Sequence, residues 1–457
     1  MAYSQTTWLE VQNALFDRLG DRIFWTNLGV WPEIKGYLTE ALRAWNCYAR
    51  FWRDRISFQT VANQPFYRTT DPALTTNPPA LLNFTITDRM MIAEQQYHLL
   101  ESQPVINGAI QTEPVSPTVW RGTDQFTLDG LIRALQKRRD QFTYETAITL
   151  RDRTLSGVIS SEGRMELDET IADVRRASWV SLANERTHLW RQDEWASTSQ
   201  QPLWNISPDV PPYAYSLTLT QPLRIQLIPP PSSNGQVRVL SVETDTDLNP
   251  STPVLLGLPD DWCWAVKWGA MADLLGAEGI ARDAGRAAYC EQRWQQALAL
   301  AKMAPDILNG QINGVNTLIM SLQDLDSYNP NWENVTGTPE VIAVERDIVT
   351  VSPVPDAVYS VTLDVVRPAP IPAADTDIIN LGPEILNAIL DYAHHIASFK
   401  QGGAEFATTQ RQFKNFVHLA SDYNSKLKAL GFFKEAIEDR SVRDEQRRPR
   451  REEVEVV

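Results

Sequence analysis

An internal repeat in the C-terminal half of the chain constrains the fold more than any other feature of the sequence. Prolines, glycines and aromatic residues recur there at a constant separation of 124 positions. The matching pairs are Pro229 and Pro353, Pro231 and Pro355, Pro259 and Pro383, Gly279 and Gly403, and Tyr289 and Phe413. A chain of 457 residues has room for about three domains or repeats. Two copies of one module therefore account for much of its length.

Each copy of the repeat has the pattern of a β-hairpin followed by two helices. Residues that favour strands occur at 215–219, 223–228 and 237–242 in the first copy, and at 341–351 and 359–366 in the second. Pro259 and Pro383 stand where a helix begins, and the acidic residues that follow favour the positive end of the helix dipole. The expected fold class is α+β, with long antiparallel helices and β-hairpin modules. The hairpin plus helix-pair unit is expected to be duplicated in the C-terminal half.

The residues before the repeat are predicted to be mainly helical. Thr7 and Glu10 have the spacing of a capping box, and apolar stripes predict helices up to Leu19, over 32–55 and over 127–150. Residues 56–70 contain alternating aromatic residues, which is typical of a strand hairpin. A third long helix is predicted over 167–195, because Ile171, Val174, Leu182 and Leu189 have helical spacing.

These patterns divide the chain into five segments. The predicted segments are an N-terminal helical region with a hairpin (1–165), a helix plus the first hairpin and helix-pair module (166–308), a linker or protruding loop (309–339), the second module (340–433) and a charged flexible tail (434–457).

Composition excludes several classes of protein. The net charge of −15 argues against a dedicated nucleic-acid binder, because phosphate neutralisation needs a surplus of Lys and Arg. The N-terminus has no secretory-signal pattern, and no apolar run approaches the roughly 18 residues of a membrane helix. Cys47, Cys263 and Cys290 are widely spaced, which indicates reduced cysteines rather than a disulfide framework or a zinc site. We therefore expect a folded protein made in a cytosol and without a membrane segment.

The residues offer few candidates for catalysis. His394 and His395 are adjacent on a predicted helix, where side chains point about 100° apart, so they do not share a metal on one face. The glycine-containing stretch 276–285 follows a helix and lacks the GK[ST] of a phosphate loop, so a turn between helices is favoured. The basic run 137–139 is interpreted as a solvated helix face rather than a phosphate site. We expect a protein that is not an enzyme, with no catalytic residue, metal or cofactor.

The charged C-terminal tail is the one candidate binding element. Its apolar ending is suited to adding a strand to a partner's sheet or to entering a groove. The candidate partner-docking residues are Arg447, Arg448, Arg450, Val454, Val456 and Val457.

The two copies of the repeat resemble a known protein family. The first copy runs LIPPPSSNGQVRVLSVE and then LGLPDDWCWAVKWGAMADLLG, and the second runs VSPVPDAVYSVTLDVVRPAPIP and then LGPEILNAILDYA. These motifs are similar to the phage head–tail connector proteins, the adaptor or tail-tubular-protein-A-like group. In that group a strand ending in P-x-P and a hairpin precede a helix that begins at Leu-Pro or Gly-Pro. The resemblance covers about 167–431.

The resemblance implies a structural virion protein at the neck of a bacteriophage, assembled in the host cytoplasm. Such proteins form homo-oligomeric rings, usually of twelve subunits, that dock below the portal protein, extend the DNA channel and recruit the tail or nozzle protein for DNA ejection. DNA passes through the ring without sequence-specific binding, and an acidic chain fits this role because it repels phosphate.

Two other classes of function stay open. The 15 tryptophans and the long helices also fit a Trp-rich helical glycan-binding surface protein, although a lipoprotein signal is missing. An unrecognised enzyme is the third alternative.

Overall fold

The computed structural model describes residues 6–20, 32–68, 105–106, 109–110, 126–155, 163–181, 185–200, 211–218, 223–232, 235–244, 247–248, 258–279, 282–303, 307–346, 348–379, 381–401 and 403–427. The α-helices are α1 (Trp8–Leu19), α2 (Pro32–Ala49), α3 (Leu128–Thr146), α4 (Glu194–Gln200), α5 (Cys263–Gly276), α6 (Ala284–Met303), α7 (Leu322–Tyr328), α8 (Pro383–Gln401) and α9 (Gly403–Leu427). Short 3-10 helices occupy Asp260–Trp262 and Trp332–Asn334.

The strands alternate with these helices along the whole described chain. They are β1 (Thr6–Thr7), β2 (Arg53–Gln59), β3 (Phe66–Arg68), β4 (Val105–Ile106), β5 (Ala109–Ile110), β6 (Leu150–Leu155), β7 (Arg164–Glu166), β8 (Ile171–Ser181), β9 (Arg186–Arg191), β10 (Ala214–Leu217), β11 (Arg224–Ile228), β12 (Gly235–Glu243), β13 (Ile307–Ile312), β14 (Val315–Asn316), β15 (Leu318–Ser321), β16 (Thr336–Gly337), β17 (Val341–Glu345), β18 (Ile348–Ser352), β19 (Val354–Pro355), β20 (Ser360–Val366) and β21 (Ile378–Ile379). The predicted α+β fold class is confirmed.

Local signals account for the helix starts. The Thr7 hydroxyl accepts a hydrogen bond from the Glu10 amide, and the Glu10 carboxylate accepts one from the Thr7 amide, so the predicted capping box is present. Thr127 caps α3 through the amide of Gly130. Both helix pairs predicted after Pro259 and Pro383 are formed, α5 with α6 and α8 with α9.

The strands and helices form two units, which we name by their residues. The first unit is the described part of 126–303, and its seven strands form one sheet in the order β6-β12-β8-β9-β10-β11-β7. The second unit combines 32–68 with the described part of 307–427. Its two sheets have the orders β14-β13-β20-β2 and β15-β17-β18-β3. The first unit is therefore inserted between two segments of the second.

The two units have the same order of strands. The central strand β12 lies between β6 and β8 in the first unit, and β20 lies between β2 and β13 in the second. Each unit also has a parallel pair of strands. In the first unit it is β9 with β10, followed in the sheet by β11 and β7, and in the second it is β15 with β17, followed by β18 and β3. Helices complete the correspondence, since α3 packs on α5 and α2 packs on α8.

The helix predicted over 167–195 is wrong. This segment forms the strands β8 and β9 and the beginning of α4. Strand β8 is paired on both edges, with β12 and with β9, and most of its side chains are buried on both faces. Apolar residues on two faces of a strand produce spacings that also match a helix, so periodicity alone was misleading here.

The hairpin predicted over 56–70 is also wrong. Strands occur there, but β2 pairs with β20 and β3 pairs with β18, so the two strands are not partners of each other. Their partners lie about 300 residues away along the chain, and no local pattern reports such a pairing.

The linker or protruding loop predicted for 309–339 is replaced by regular structure. It contains most of β13, the strands β14, β15 and β16, and helix α7. The Asn and Gly residues form the tight turn between β13 and β14, where Asn313 and Gly314 have φ values of 50° and 79°. The other predicted domain boundaries stay a prediction.

Apolar clusters of the described residues, four of them large, hold this arrangement together. The largest joins the helices of both units, and smaller clusters fill the space between the strands of each unit. A fourth cluster lies where the units meet and contains Leu150, Leu240, Trp332 and Ile348. Buried tryptophans supply much of this volume: Trp8, Trp45, Trp52, Trp179, Trp262, Trp264, Trp268, Trp294 and Trp332. The tryptophan content is therefore explained mainly by packing.

Candidate functional site

The candidate docking residues of the tail lie outside the described residues. This applies to Arg447, Arg448, Arg450, Val454, Val456 and Val457, and to the whole predicted tail over 434–457. Their role stays a prediction.

His395 is a packed residue of the helical core. Its Nε2 lies 2.7 Å from the Tyr289 hydroxyl, its Nδ1 lies 3.0 Å from Thr409 Oγ1, and its ring stacks between Phe406 and Phe413. Burial lowers the pKa of His395 to about 3, so the ring is neutral at pH 7. Among the residues that the structure describes, no group of three His, Cys, Asp or Glu side chains could hold a metal ion.

We expect His395 to make the fold sensitive to acid. Its pKa is lower in the folded chain than the ordinary value of 6.5, so the unfolded chain binds a proton first as the pH falls. The contribution of His395 to stability is complete above pH 6.5 and decreases by about 3 kcal/mol between pH 6.5 and pH 4. Urea denaturation of the wild type and of His395→Gln at several pH values measures this difference.

The control for this titration is His418→Gln, because the His418 side chain is 77% exposed and pairs with Asp422 on its own helix. A stability difference between wild type and His395→Gln that does not change from pH 6.5 to pH 4 would contradict the assignment.

The basic run 137–139 is used for packing and pairing. Arg138 is buried, contacts Asp273 and Glu291 at 2.5 and 2.9 Å, and lies over the Trp294 ring. Lys137 pairs with Asp273 at 3.0 Å. The expected solvated helix face is therefore wrong for Arg138, which joins α3 to α5 and α6. Helix α5 ends at Gly276 and α6 begins at Ala284, so the stretch 276–285 lies at the junction of two helices, as predicted.

The strongest polar cluster lies where the two units meet. Arg176 on β8 donates two hydrogen bonds to Asp326 at 2.8 and 2.9 Å, and its Nη2 lies 2.5 Å from Glu333. Its guanidinium also lies over the rings of Phe66 and Trp332. All three charged side chains are buried. The two carboxylates raise the pKa of Arg176 above its usual range, so the arginine stays charged.

A polar cavity of about 570 Å³ lies beside this cluster. The first unit contributes Glu185, Arg186 and Thr187 to its wall, and the second unit contributes Asn331, Glu333 and Asn334. The Asn334 amide pairs with the backbone of Arg186, accepting from its N–H at 2.9 Å and donating to its carbonyl at 2.6 Å. Amides and paired charges of this kind join two surfaces rather than activate a nucleophile.

A second buried polar cluster joins the helices of the two units. Glu40 on α2 pairs with Lys267 on α5 and accepts a hydrogen bond from Trp268 Nε1 at 2.7 Å. Tyr392 on α8 donates to the same carboxylate at 3.3 Å and contacts Arg293 on α6. Burial and the charge of Arg293 lower the pKa of Lys267 to about 7. Lys267 is a charged residue within an apolar run, and this was the available sequence signal for the cluster.

Large aromatic side chains are exposed at two corresponding places. Trp195 on α4 and Tyr328 on α7 are each 83% exposed, and Trp190 on β9 is 49% exposed. Each of these short helices follows the first strand of a parallel pair, α4 after β9 and α7 after β15. Exposed aromatic residues of this size are typical of protein interfaces.

Comparison with known proteins gives a family match for part of the chain. Among the described residues, no helix is both long and apolar enough to cross a membrane. A search of curated proteins gave no match. The matched region of the family model begins just before β13 and includes the strands and both helices of the C-terminal part of the second unit. Residues 306–451, about a third of the chain, match the family SU10 adaptor protein, and this match supports a phage adaptor-type protein.

Proposed function

We propose that the chain is a structural subunit of a phage head–tail connector, an adaptor ring in the neck of the virion. The ring docks below the portal protein, extends the DNA channel and recruits the tail or nozzle protein. The observation that carries this proposal is the adaptor match over 306–451, together with the motifs of the two hairpin and helix-pair modules.

The physical properties of the chain support this function. The buried charged clusters join one unit to the other, which is what a rigid building block requires. The net charge of −15 disfavours tight binding of DNA, so a duplex slides through the ring without being held. Ring formation requires two different surfaces that fit each other in a head-to-tail manner.

The assembly state tests the proposal directly. We expect the purified chain, alone or mixed with portal protein, to form rings of about twelve subunits. Twelve copies of 51.7 kDa amount to about 620 kDa. Negative-stain images and mass photometry measure both quantities. A chain that stays monomeric at micromolar concentration and does not bind the portal would refute the proposal.

The tail provides a more specific prediction. We propose that 445–457, with its arginines and terminal valines, docks on the portal or on a neighbouring subunit by adding a strand or filling a groove. Truncation after Arg440 is expected to reduce occupancy of portals by about tenfold or more while the folded units remain intact. Pull-down with purified portal measures the occupancy, and a second truncation that removes only 454–457 separates the contribution of the terminal valines from that of the arginines. Unchanged occupancy after truncation at Arg440 would exclude the tail as a docking element.

A further inference from the structure

The contact between the two units has a well-defined face on the first unit. It is the outer side of β6 and β12, where Leu150, Leu240 and Val242 are buried in the cluster between the units. Arg238 on the same side pairs with Asp152, and its guanidinium lies 4.4 Å from the Phe66 ring of the second unit. We call this surface the inner docking face.

The second unit has the same face in the same register. In the first unit, β6 pairs with β12 from Leu150–Val242 to Leu155–Val237. In the second unit, β2 pairs with β20 over the same length, from Arg53–Val366 to Phe58–Val361. The outer side of β2 and β20 therefore corresponds to the inner docking face. We call this surface, formed by Arg53, Arg55, Ser57, Thr362 and Asp364, the outer docking face.

The outer docking face is polar and partly open to solvent, with Arg55 and Ser57 exposed and Arg53, Thr362 and Asp364 partly buried. Arg55 pairs with Asp364 at 2.7 Å, yet its side chain is 64% exposed, and the Ser57 hydroxyl lies 3.0 Å from Thr362 Oγ1. The corresponding side of the first unit is buried. One copy of a repeated surface is thus occupied within the chain and the other is exposed.

The surface on which the inner docking face packs, which we call the receiving surface, also has a counterpart in the other unit. On the second unit it consists of β3, α7 and the 3-10 helix Trp332–Asn334, whose aromatic rings and carboxylates receive Arg176 and Arg238. The first unit has β7 and α4 at the corresponding positions of its strand order. Trp195, Trp190 and Asp193 are exposed there. This surface therefore has aromatic rings on which an arginine can stack and a carboxylate with which it can pair.

We infer that the outer docking face of one copy packs on the Trp190–Trp195 surface of a second copy of this chain. The contact uses between chains the same pair of strands that joins the two units within a chain. Its side chains differ, because Arg55 corresponds to Asp152 and Thr362 to Arg238, and we place the Arg55 guanidinium over the indole of Trp195. The two surfaces differ and lie on different units, so the contact is heterologous and closes into a ring or continues as a filament. This inference rests on the proposed ring function and names the surfaces that form the ring.

Two substitutions with matched controls test the surfaces. Arg55→Ala and Trp195→Ala are each expected to weaken self-association by about tenfold or more, measured by mass photometry across a concentration series. The control for Arg55 is Lys137→Ala, because that side chain is 65% exposed and also paired. The control for Trp195 is Tyr328→Ala, because Tyr328 is equally exposed. Both controls should assemble as the wild type does.

A cross-linking experiment tests the pairing itself. The native cysteines Cys47, Cys263 and Cys290 are buried, so introduced cysteines react selectively. Mixing a Ser57→Cys chain with a Ser199→Cys chain, both of which keep Arg55 and Trp195, and adding a short bis-maleimide should give a covalent dimer, and neither chain alone should. The inference would be overturned if the wild type forms rings, the cysteine pair gives no cross-link and both alanine variants assemble normally. That result would leave the proposed function intact. A wild type that forms no assembly, alone or on portals, would overturn both.

Discussion

Arg176→Ala is expected to lower the free energy of unfolding by about 3–5 kcal/mol. The substitution leaves Asp326 and Glu333 buried at the junction of the two units without the cation that compensates both charges. It also removes the guanidinium from the faces of Phe66 and Trp332. Because Arg176 belongs to the first unit and its partners to the second, we expect the units to unfold in separate steps. Urea denaturation followed by tryptophan fluorescence and circular dichroism measures the loss and the separation.

Two variants serve as controls for Arg176. Arg224→Ala removes an arginine that is 46% exposed and pairs with Glu166, which is 65% exposed, so we expect a loss of at most about 1 kcal/mol. Arg176→Lys keeps the charge but loses the two parallel hydrogen bonds to Asp326, and its effect should be intermediate. Equal stabilities of Arg176→Ala and Arg224→Ala would contradict the assigned role.

Glu40→Ala is the substitution with the second large expected effect. The carboxylate accepts from Trp268 and Tyr392 and pairs with Lys267, so its removal leaves a buried ammonium beside the positive charge of Arg293. We expect the free energy of unfolding to fall by about 3–5 kcal/mol. Thermal and urea denaturation at pH 7 measure this loss.

A double variant separates the loss of the pair from the cost of the unpaired charge. Glu40→Ala with Lys267→Met removes both charges, and we expect it to recover much of the stability that Glu40→Ala loses. The surface control is Lys35→Ala, whose partner Asp375 is 47% exposed, with an expected loss of at most about 1 kcal/mol. A double variant that is as unstable as Glu40→Ala alone would show that the unpaired lysine is not the cause.

The parts of the fold that could be predicted depend on neighbouring residues. Thr7 and Glu10 cap the first helix, prolines mark the beginnings of helices, and Gly279 stands between α5 and α6. Strands with a strong β-branched pattern, such as β12 and β20, were located within a few residues. Each of these signals acts over a few positions, so the local sequence contains it in full.

The candidate site was much less predictable. Arg176 and Glu333 meet across 157 positions of sequence and Glu40 and Lys267 across 227, and no spacing rule connects them. The docking face on β2 and β20 exists only because β2 pairs with a strand about 300 residues later. The strand β8 was assigned to a helix because its partners on both edges bury both of its faces.

The sequence by itself determined several helix starts, the strand-forming segments of the repeat and the α+β class, because capping, backbone preference and apolar spacing are local effects. Only the tertiary structure decided that the first unit is inserted into the second and that 32–68 completes the second unit. It also decided which charges are buried and which of two corresponding faces is exposed. These features depend on strand pairing and packing between distant segments, whose free energy arises only when the whole chain is folded.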